Sequence, residues 1–345
     1  MPINPTVAVA ILSWNGRKFL EQFLPSVVAT TYAHATHYVI DNASTDDTAV
    51  WLAEHYPQVK LVALPKNLGF AGGYNEGLKQ IQADYYVLLN QDVEVTPGWL
   101  EPMVELMERH PEAGACQPKL RAYHQKDYLE YAGAAGGFMD YLGYTFCRGR
   151  LFDVVEKDEG QYDTVIPIFW ASGAAMFVRA ELYHQLGGLD ADFFAHMEEI
   201  DLCWRMKNAG YGLLYTPHSL VYHVGGGSLP QGNPRKTFLN FRNNLWMMYK
   251  NLPEQGFKRT IALRLLLDVV AAYRSLLTGK VGDYKAIAKA HMEFFNTLSI
   301  IRKKRIATQA LSAGKTANTE GLYHKSILWQ FFVKGKKRFS ELGVE

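Results

Sequence analysis

The chain has 345 residues, 48% hydrophobic and 20% charged, so it can bury a large core, which excludes a disordered tract and fits one large α/β domain with an extension, or two domains. Its net charge of +2 is uneven: residues 301–345 hold ten Lys and Arg against three Glu, a net of +7, while the preceding residues hold 26 basic against 31 acidic, a net of −5. The acidic body, with no reading motif, argues against nucleic acid, and the basic end calls for an anionic partner.

The opening "MPINP" has neither the basic start nor the apolar stretch of a cleaved leader. Residues 6–13, "TVAVAILS", then read as a strand and 17–30 as a helix. Residues 36–41, "THYVID", give a second strand. "STDDTAVWLAEHY" predicts a helix capped by Ser44 or Thr45, with acids in its first turn. A third strand at 59–64, a helix at 71–82 and a fourth strand at 84–90 continue the alternation. Strand and helix in turn imply a parallel sheet covered by helices, with ligands beyond the carboxyl ends of the strands. That edge holds Ser13–Gly16, Asp41–Asp46 and Asn90–Glu94.

The middle is less regular. Residues 170–179 read as a strand, 180–188 as a helix stopped by glycine, and "AHMEEIDLCWRMKNAG" as an amphipathic helix. "YGLLYTPHSLVYHVGGGS" predicts two short strands and a glycine loop. From about Arg235 the chain reads as helical. In "TIALRLLLDVVAAYRSLLTG" a narrow polar stripe, Arg264, Asp268 and Ser275, interrupts an apolar surface, so that helix is either buried on several sides or laid on a membrane. No apolar run is long enough to span one. The three cysteines, Cys116, Cys147 and Cys203, show neither metal-ligand nor disulfide spacing, which favours a reducing compartment.

Four groups of residues carry candidate chemistry. Asp41 at a strand end can accept a hydrogen bond from a base N–H or a ribose hydroxyl, although Asp-Asn before Ser and Thr is also ordinary turn chemistry. Asp92 and Glu94 follow a buried strand and offer hard oxygen ligands to Mg²⁺ or Mn²⁺. Glu198, Glu199 and Asp201 start a helix; the helix dipole accounts for them, but a desolvated carboxylate there would also serve as a general base. His223 precedes three glycines and is either a structural histidine or one that closes on a metal or diphosphate.

In chain order, "ILSWNG", "VIDNASTDDT", "NLGFAGGYNEGL", "LLNQDVEV", "SGAAMFVRA", "FFAHMEEIDLCWR" and "HVGGGS" together resemble the family 2 inverting glycosyltransferases, of the bacterial rhamnosyltransferase type. The resemblance covers residues 6 to about 228. It implies an α/β fold of the glycosyltransferase A type, a nucleotide-binding Rossmann-like mixed sheet with helices on both faces. The catalytic domain would span 1–234, with a nucleotide-sugar half to about 110 and an acceptor half beyond, and the basic helical region 235–345 would follow. It also implies a nucleotide-diphosphate sugar donor, a divalent metal (Mn²⁺ or Mg²⁺) and a saccharide or lipid-linked saccharide acceptor.

Carried over by position, Asp41 would contact the base, beside the backbone of Ser13, Trp14 and Asn15. Asn67 and Gly69 would shape the turn at the nucleoside, Gly72 and Gly73 would let backbone approach the ligand, and Asn75 would hold that loop. Asn90 and Gln91 would lie at the diphosphate, with Asp92 and His223 on the metal. Glu199 would be the base, with Glu198 and Asp201 as alternatives, and Trp170, Ser172 and Gly173 would line the acceptor side. Two departures stand out: Asn90 occupies the first acidic position of the metal segment, and Glu198–Glu199 replaces a Glu-Asp pair. The first keeps open a non-catalytic nucleotide-sugar-binding subunit of a polysaccharide assembly complex.

Other α/β enzymes fit less well. A dehydrogenase needs Gly-x-Gly-x-x-Gly after the first strand, and a nucleotidyltransferase needs an early glycine-rich basic loop; here "SWNGRKF" follows that strand. The expected place is the cytoplasm. Residues 300–345 would meet the anionic inner face of the plasma membrane through "IRKKR" and "KGKKRF", and 235–300 would cover the catalytic domain or form a homodimer.

Overall fold

Successive residues of a strand face opposite sides of its sheet, and the first strand, β1 (Val7–Ser13), is apolar on both. The computed structural model describes residues 4–225 and 232–344. The glycines at 226 and 227 and Ser228 of "HVGGGS" lie outside the described residues. Ala8 and Ala10 enter one core, Val7, Val9 and Ile11 the other.

The first half alternates: β1, α1 (Arg17–Val28), β2 (Ala35–Asp41), α2 (Thr48–His55), β3 (Lys60–Ala63), α3 (Gly69–Leu78), β4 (Tyr85–Asn90), β5 (Val93–Val95) and α4 (Glu101–Arg109). β1 pairs in parallel with β2 and β4, and β2 with β3. The register sets Ser13 opposite Asp41 and Leu12 opposite Asn90, so the expected edge forms. α2 begins later than its sequence suggests. Its first residue is Thr48, and Asp46 Oδ1 accepts from the Thr48 N–H (3.1 Å) and hydroxyl (2.5 Å). Ser44 and Thr45 are instead used in binding loops to each other, as described below.

The second half adds β6 (Ala113–Ala122), β7 (Gly137–Asp140), β8 (Thr145–Cys147), β9 (Arg150–Leu151), β10 (Val154–Val155), β11 (Ile166–Pro167), β12 (Ala175–Arg179), α5 (Ala180–Gln185), α6 (Glu198–Asn208) and β13 (Gly212–His223). The main sheet runs β11-β13-β6-β12-β4-β1-β2-β3, with β5 on β13. β12 is antiparallel to both β4 and β6, which makes the sheet mixed. Where two short strands were expected there is one, β13, whose pairing with β6 shifts register between Thr216 and Leu220. α1, α2 and α4 contribute to the core on one face of the sheet, α3, α5 and α6 to that on the other.

α7 (Pro234–Asn251), α8 (Phe257–Leu277), α9 (Val281–Asn296) and α10 (Leu298–Leu311) follow. The region read as helical also holds a strand, β14 (Leu322–Tyr323), which pairs in parallel with β7 and completes a second sheet, β10-β9-β8-β7-β14. Phe339 then packs on Phe138 and Phe146. No described helix is long and apolar enough to cross a membrane. All three cysteines are free and buried.

Candidate functional site

The loops after β1 and β2 are stitched together. The Asn15 N–H donates to Ser44 Oγ (2.9 Å), and Asn15 Oδ1 accepts from the Thr45 N–H (2.7 Å). Asn15 has φ +50°, a left-handed conformation that asparagine tolerates. Asp41 is buried and accepts from the Ser44 N–H (3.2 Å). The Ser13 hydroxyl donates to Gln91 Oε1 (3.0 Å). Trp14 stays 53% exposed at this edge, which leaves its ring available for stacking.

Asn42, which the motif reading passed over, organises the next loop. Its side-chain N–H donates to Asn67 Oδ1 (3.1 Å) and the Gly69 carbonyl (3.0 Å), while its Oδ1 accepts from the Leu68 N–H (2.9 Å). Asn67 Oδ1 also accepts from the Gly69 N–H (2.9 Å), so Asn67 and Gly69 do shape the turn.

Gly72 and Gly73 do something other than expected. Both are buried, and a Cβ would lie 2.9 Å from Leu68 Cβ at Gly72 and 2.6 Å from Leu12 Cδ1 at Gly73. They let α3 lie close on its neighbours rather than backbone approach a ligand. Asn75 likewise holds a different loop: it bonds the Leu189 N–H (2.9 Å), the Leu189 carbonyl (2.6 Å) and the Tyr183 hydroxyl (2.7 Å).

Beyond β4, Asp92 Oδ1 lies 3.3 Å from His223 Nε2, and the Asn90 amide nitrogen lies 3.4 Å from the same ring atom. On the other side of the ring Glu130 Oε1 is 3.4 Å from Nδ1, too poorly aimed for a hydrogen bond. Burial alone would weaken proton binding by His223, but Glu130 and Asp92 outweigh it and raise the pKa to about 10. Burial would conversely raise the Asp92 pKa, and the hydrogen bond and charge of His223 bring it below the usual carboxylate range. Glu130 sits in irregular chain with no periodicity or motif to mark it. Glu94 turns away to pair with Lys126 (2.5 Å).

The first turn of α6 separates its three acids. Asp201 is completely buried and saturated: it accepts from Arg205 Nε (2.9 Å), Lys250 Nζ (2.9 Å) and Asn251 Nδ2 (2.8 Å). It is a structural anchor, so it is not free to take a substrate proton. Glu198 Oε2 and Glu199 Oε2 are buried without hydrogen-bond partners. Burial, then the charges of Glu199 and Asp201, holds the Glu198 pKa well above normal. Burial lifts Glu199 to about 6, opposed by the backbone N–H groups at the helix start. Ahead of the helix, Phe194, His196 and Met197 all have positive φ (67°, 70° and 74°), local strain of the kind that collects at working sites.

Glu199 and Asp92 share one edge. A Cβ at Gly173 would sit 3.5 Å from Glu199 Cβ and 3.6 Å from the Phe70 ring. The Asn90 N–H donates to the Ala174 carbonyl (3.0 Å), and the Ser172 hydroxyl to the Ala132 carbonyl (2.5 Å), two residues from Glu130. Trp170, expected on the acceptor side, is instead buried, its indole N–H donating to the Phe138 carbonyl (2.9 Å).

Among the described residues no three His, Cys, Asp or Glu side chains converge as a metal cluster. Asp92 Oδ1 and His223 Nε2, facing each other at 3.3 Å, nonetheless fit a hard cation that takes most of its ligands from diphosphate and water, and binding there would displace the imidazole proton.

Residues 8–171 match the family profile described as glycosyl transferase family 2. Over 239 residues the chain is 29% identical to an N-acetylglucosaminyl-diphospho-decaprenol L-rhamnosyltransferase of Mycobacterium tuberculosis, covering 64% of this chain and 76% of that one. Its fold resembles a mannosyltransferase from Pyrobaculum calidifontis in complex with GDP-Man and Mn²⁺ (TM-score 0.52, 16% identity, 90% of this chain and 88% of the other). It also resembles TarS 1–349 of S. aureus in complex with UDP-GlcNAc (TM-score 0.55, 14% identity, 89% and 90%). Residues 8–171 thus match glycosyl transferase family 2, in a chain of glycosyltransferase A-type fold whose sequence is similar to that of a rhamnosyltransferase.

Proposed function

We propose that the protein is an inverting transferase that moves a sugar from a nucleoside-diphosphate donor, a dTDP-rhamnose-like or UDP-sugar, to a hydroxyl of a lipid-linked or growing surface-polysaccharide acceptor. The observation that carries this reading is the Glu199 carboxyl: its Oε2 is buried without a hydrogen-bond partner, its pKa is raised to about 6, and its side chain lies against Gly173. A hydroxyl is a poor nucleophile, and a carboxylate that takes its proton during attack overcomes this. Burial and the neighbouring carboxylates make Glu198 hold its proton more tightly, which suits it less to that step than Glu199, whose pKa is about 6.

Asp41 receives the base, and Trp14 offers an aromatic face to it. Asp92 and His223 would hold the metal, which when bound would counter the charge on the departing diphosphate. Ser13 and Gln91 fix the strand ends beneath this group. Attack from the face opposite the diphosphate inverts the anomeric centre without a covalent enzyme intermediate.

The test is Glu199→Gln. Calorimetry should show nucleotide binding retained while transfer disappears; near-normal turnover in this variant would remove Glu199 from the role.

A further inference from the structure

α8 faces the wrong way for a helix meant to meet water. Its charged pair is inside: Arg264 Nε donates to Asp268 Oδ1 (2.8 Å), Arg264 Nη1 to the Leu142 carbonyl (3.1 Å), and the guanidinium lies 3.9 Å from the centre of the Tyr144 ring. Outside is an apolar stripe. Leu266 is 60% exposed, Val270 59% and Leu277 87%, with Val269 and Tyr273 filling the same face. Their spacing of three to four residues makes one continuous band along the helix. A band of this kind marks a surface meant to be covered.

The charges around the band say what covers it. Asp268 is the only acid in α8, and it is fully buried. Lys258 and Arg259 stand exposed at one end, Arg274 and Lys280 at the other. A second copy packed antiparallel would set Arg259 against Arg274, and one packed parallel would set Arg274 against itself. Both arrangements oppose like charges. An anionic lipid surface instead offers acyl chains to the band and phosphates to both ends.

The surface extends beyond the helix. Arg274 lies 5.1 Å from the centre of the Phe332 ring, and Trp329, Phe332 and Val333 are exposed beside it. Between these elements lies a groove of about 580 Å³ lined by Tyr131, Phe152, Asp153, Arg274, Phe332 and Lys337. Tyr131 directly follows Glu130, which faces His223. The apolar surface therefore leads up to a residue adjoining the candidate site. We propose that α8, with Trp329, Phe332 and Val333, docks the protein on an anionic lipid leaflet. This places the contact on a helix first read as a cover for the catalytic domain. It also removes part of the basic tail from the contact, since Lys304 is tied to Asp190 and Asp192, and Arg305 to Glu254.

The full chain is tested by cosedimentation with phosphatidylcholine vesicles with and without phosphatidylglycerol, which needs no activity and so separates this proposal from the reaction above. Binding should require phosphatidylglycerol and weaken with salt. Leu266→Glu combined with Val270→Glu should reduce it at least ~10-fold, and Arg259→Gln or Arg274→Gln ~5-fold each. Leu277→Ser, a milder change at the most exposed position, should reduce it by a smaller but measurable factor. All variants should keep the wild-type circular dichroism spectrum. Equal affinity of wild type and the folded Leu277→Ser and Arg274→Gln variants would overturn the proposal. So would absence of binding to either vesicle, or a dimer by light scattering that Leu277→Ser dissociates.

Discussion

α6 and α8 both turn charged side chains inward, and they do so with opposite results. In α8 the buried charges offset each other: Asp268 is ion-paired with Arg264 although its Oδ2 accepts no hydrogen bond, and the apolar band lies outside. In α6 the burial is selective: Asp201 is saturated by three donors, whereas Glu198 and Glu199 each keep an unpartnered oxygen. A paired buried charge is architecture, and the unpaired one marks where an outside group must supply the missing partner.

Four measurements can break or sharpen this contrast. The largest effect belongs to Glu199→Gln, which should lower the transfer rate by about 10²–10⁴-fold. In the wild type the rate should rise with pH through about 6 as Glu199 ionises. Next is Asp201→Ala, which strands Arg205 without a buried counter-charge and leaves Lys250 with Asp190 alone; it should cost ~3–5 kcal/mol in chemical denaturation. If it leaves stability intact but removes activity, the division of roles within α6 is wrong.

Third, Glu199→Gln should stabilise the fold. The folded-state pKa of about 6 lies above the usual 4.5, so the wild type loses stability as pH rises from 4.5 to 6. The variant should therefore be ~2 kcal/mol more stable at pH 8 and equal to wild type near pH 4. The smallest effect is expected from the joint change Arg264→Met and Asp268→Leu, within ~1 kcal/mol of wild type, since a buried pair replaced whole leaves no stranded charge.

Much of this was legible in the residues themselves. Strand–helix alternation gave the parallel half of the sheet, and the strand ends pointed to Ser13, Asp41 and Asp92, because local pattern decides local structure. Roles set by distant chain were not legible. Asp201 looks like its neighbours until Lys250 and Asn251, on α7, close around it. Gly72 looks free until Leu68 fills the space beside it, and Gly73 until Leu12 does. Glu130 lies in irregular chain, and only folding brings it to His223. Asn42 did carry a signal, an amide at the end of a buried strand, hidden by the more conspicuous Asp41. The polar stripe of α8 was visible as a stripe, but periodicity does not say which side of a helix faces in.

The ties between the helical region and the turn before α6 bear on how the protein can be cut. Lys250 and Lys304 both reach Asp190, and Lys250 and Asn251 both reach Asp201. A shortened fragment ending near residue 234 would look like a tidy catalytic unit on paper. It would lose every one of those cations and amides, leaving two acids built for an interior with only Arg205 to answer them. The helical region is, in that sense, the keystone of the catalytic turn.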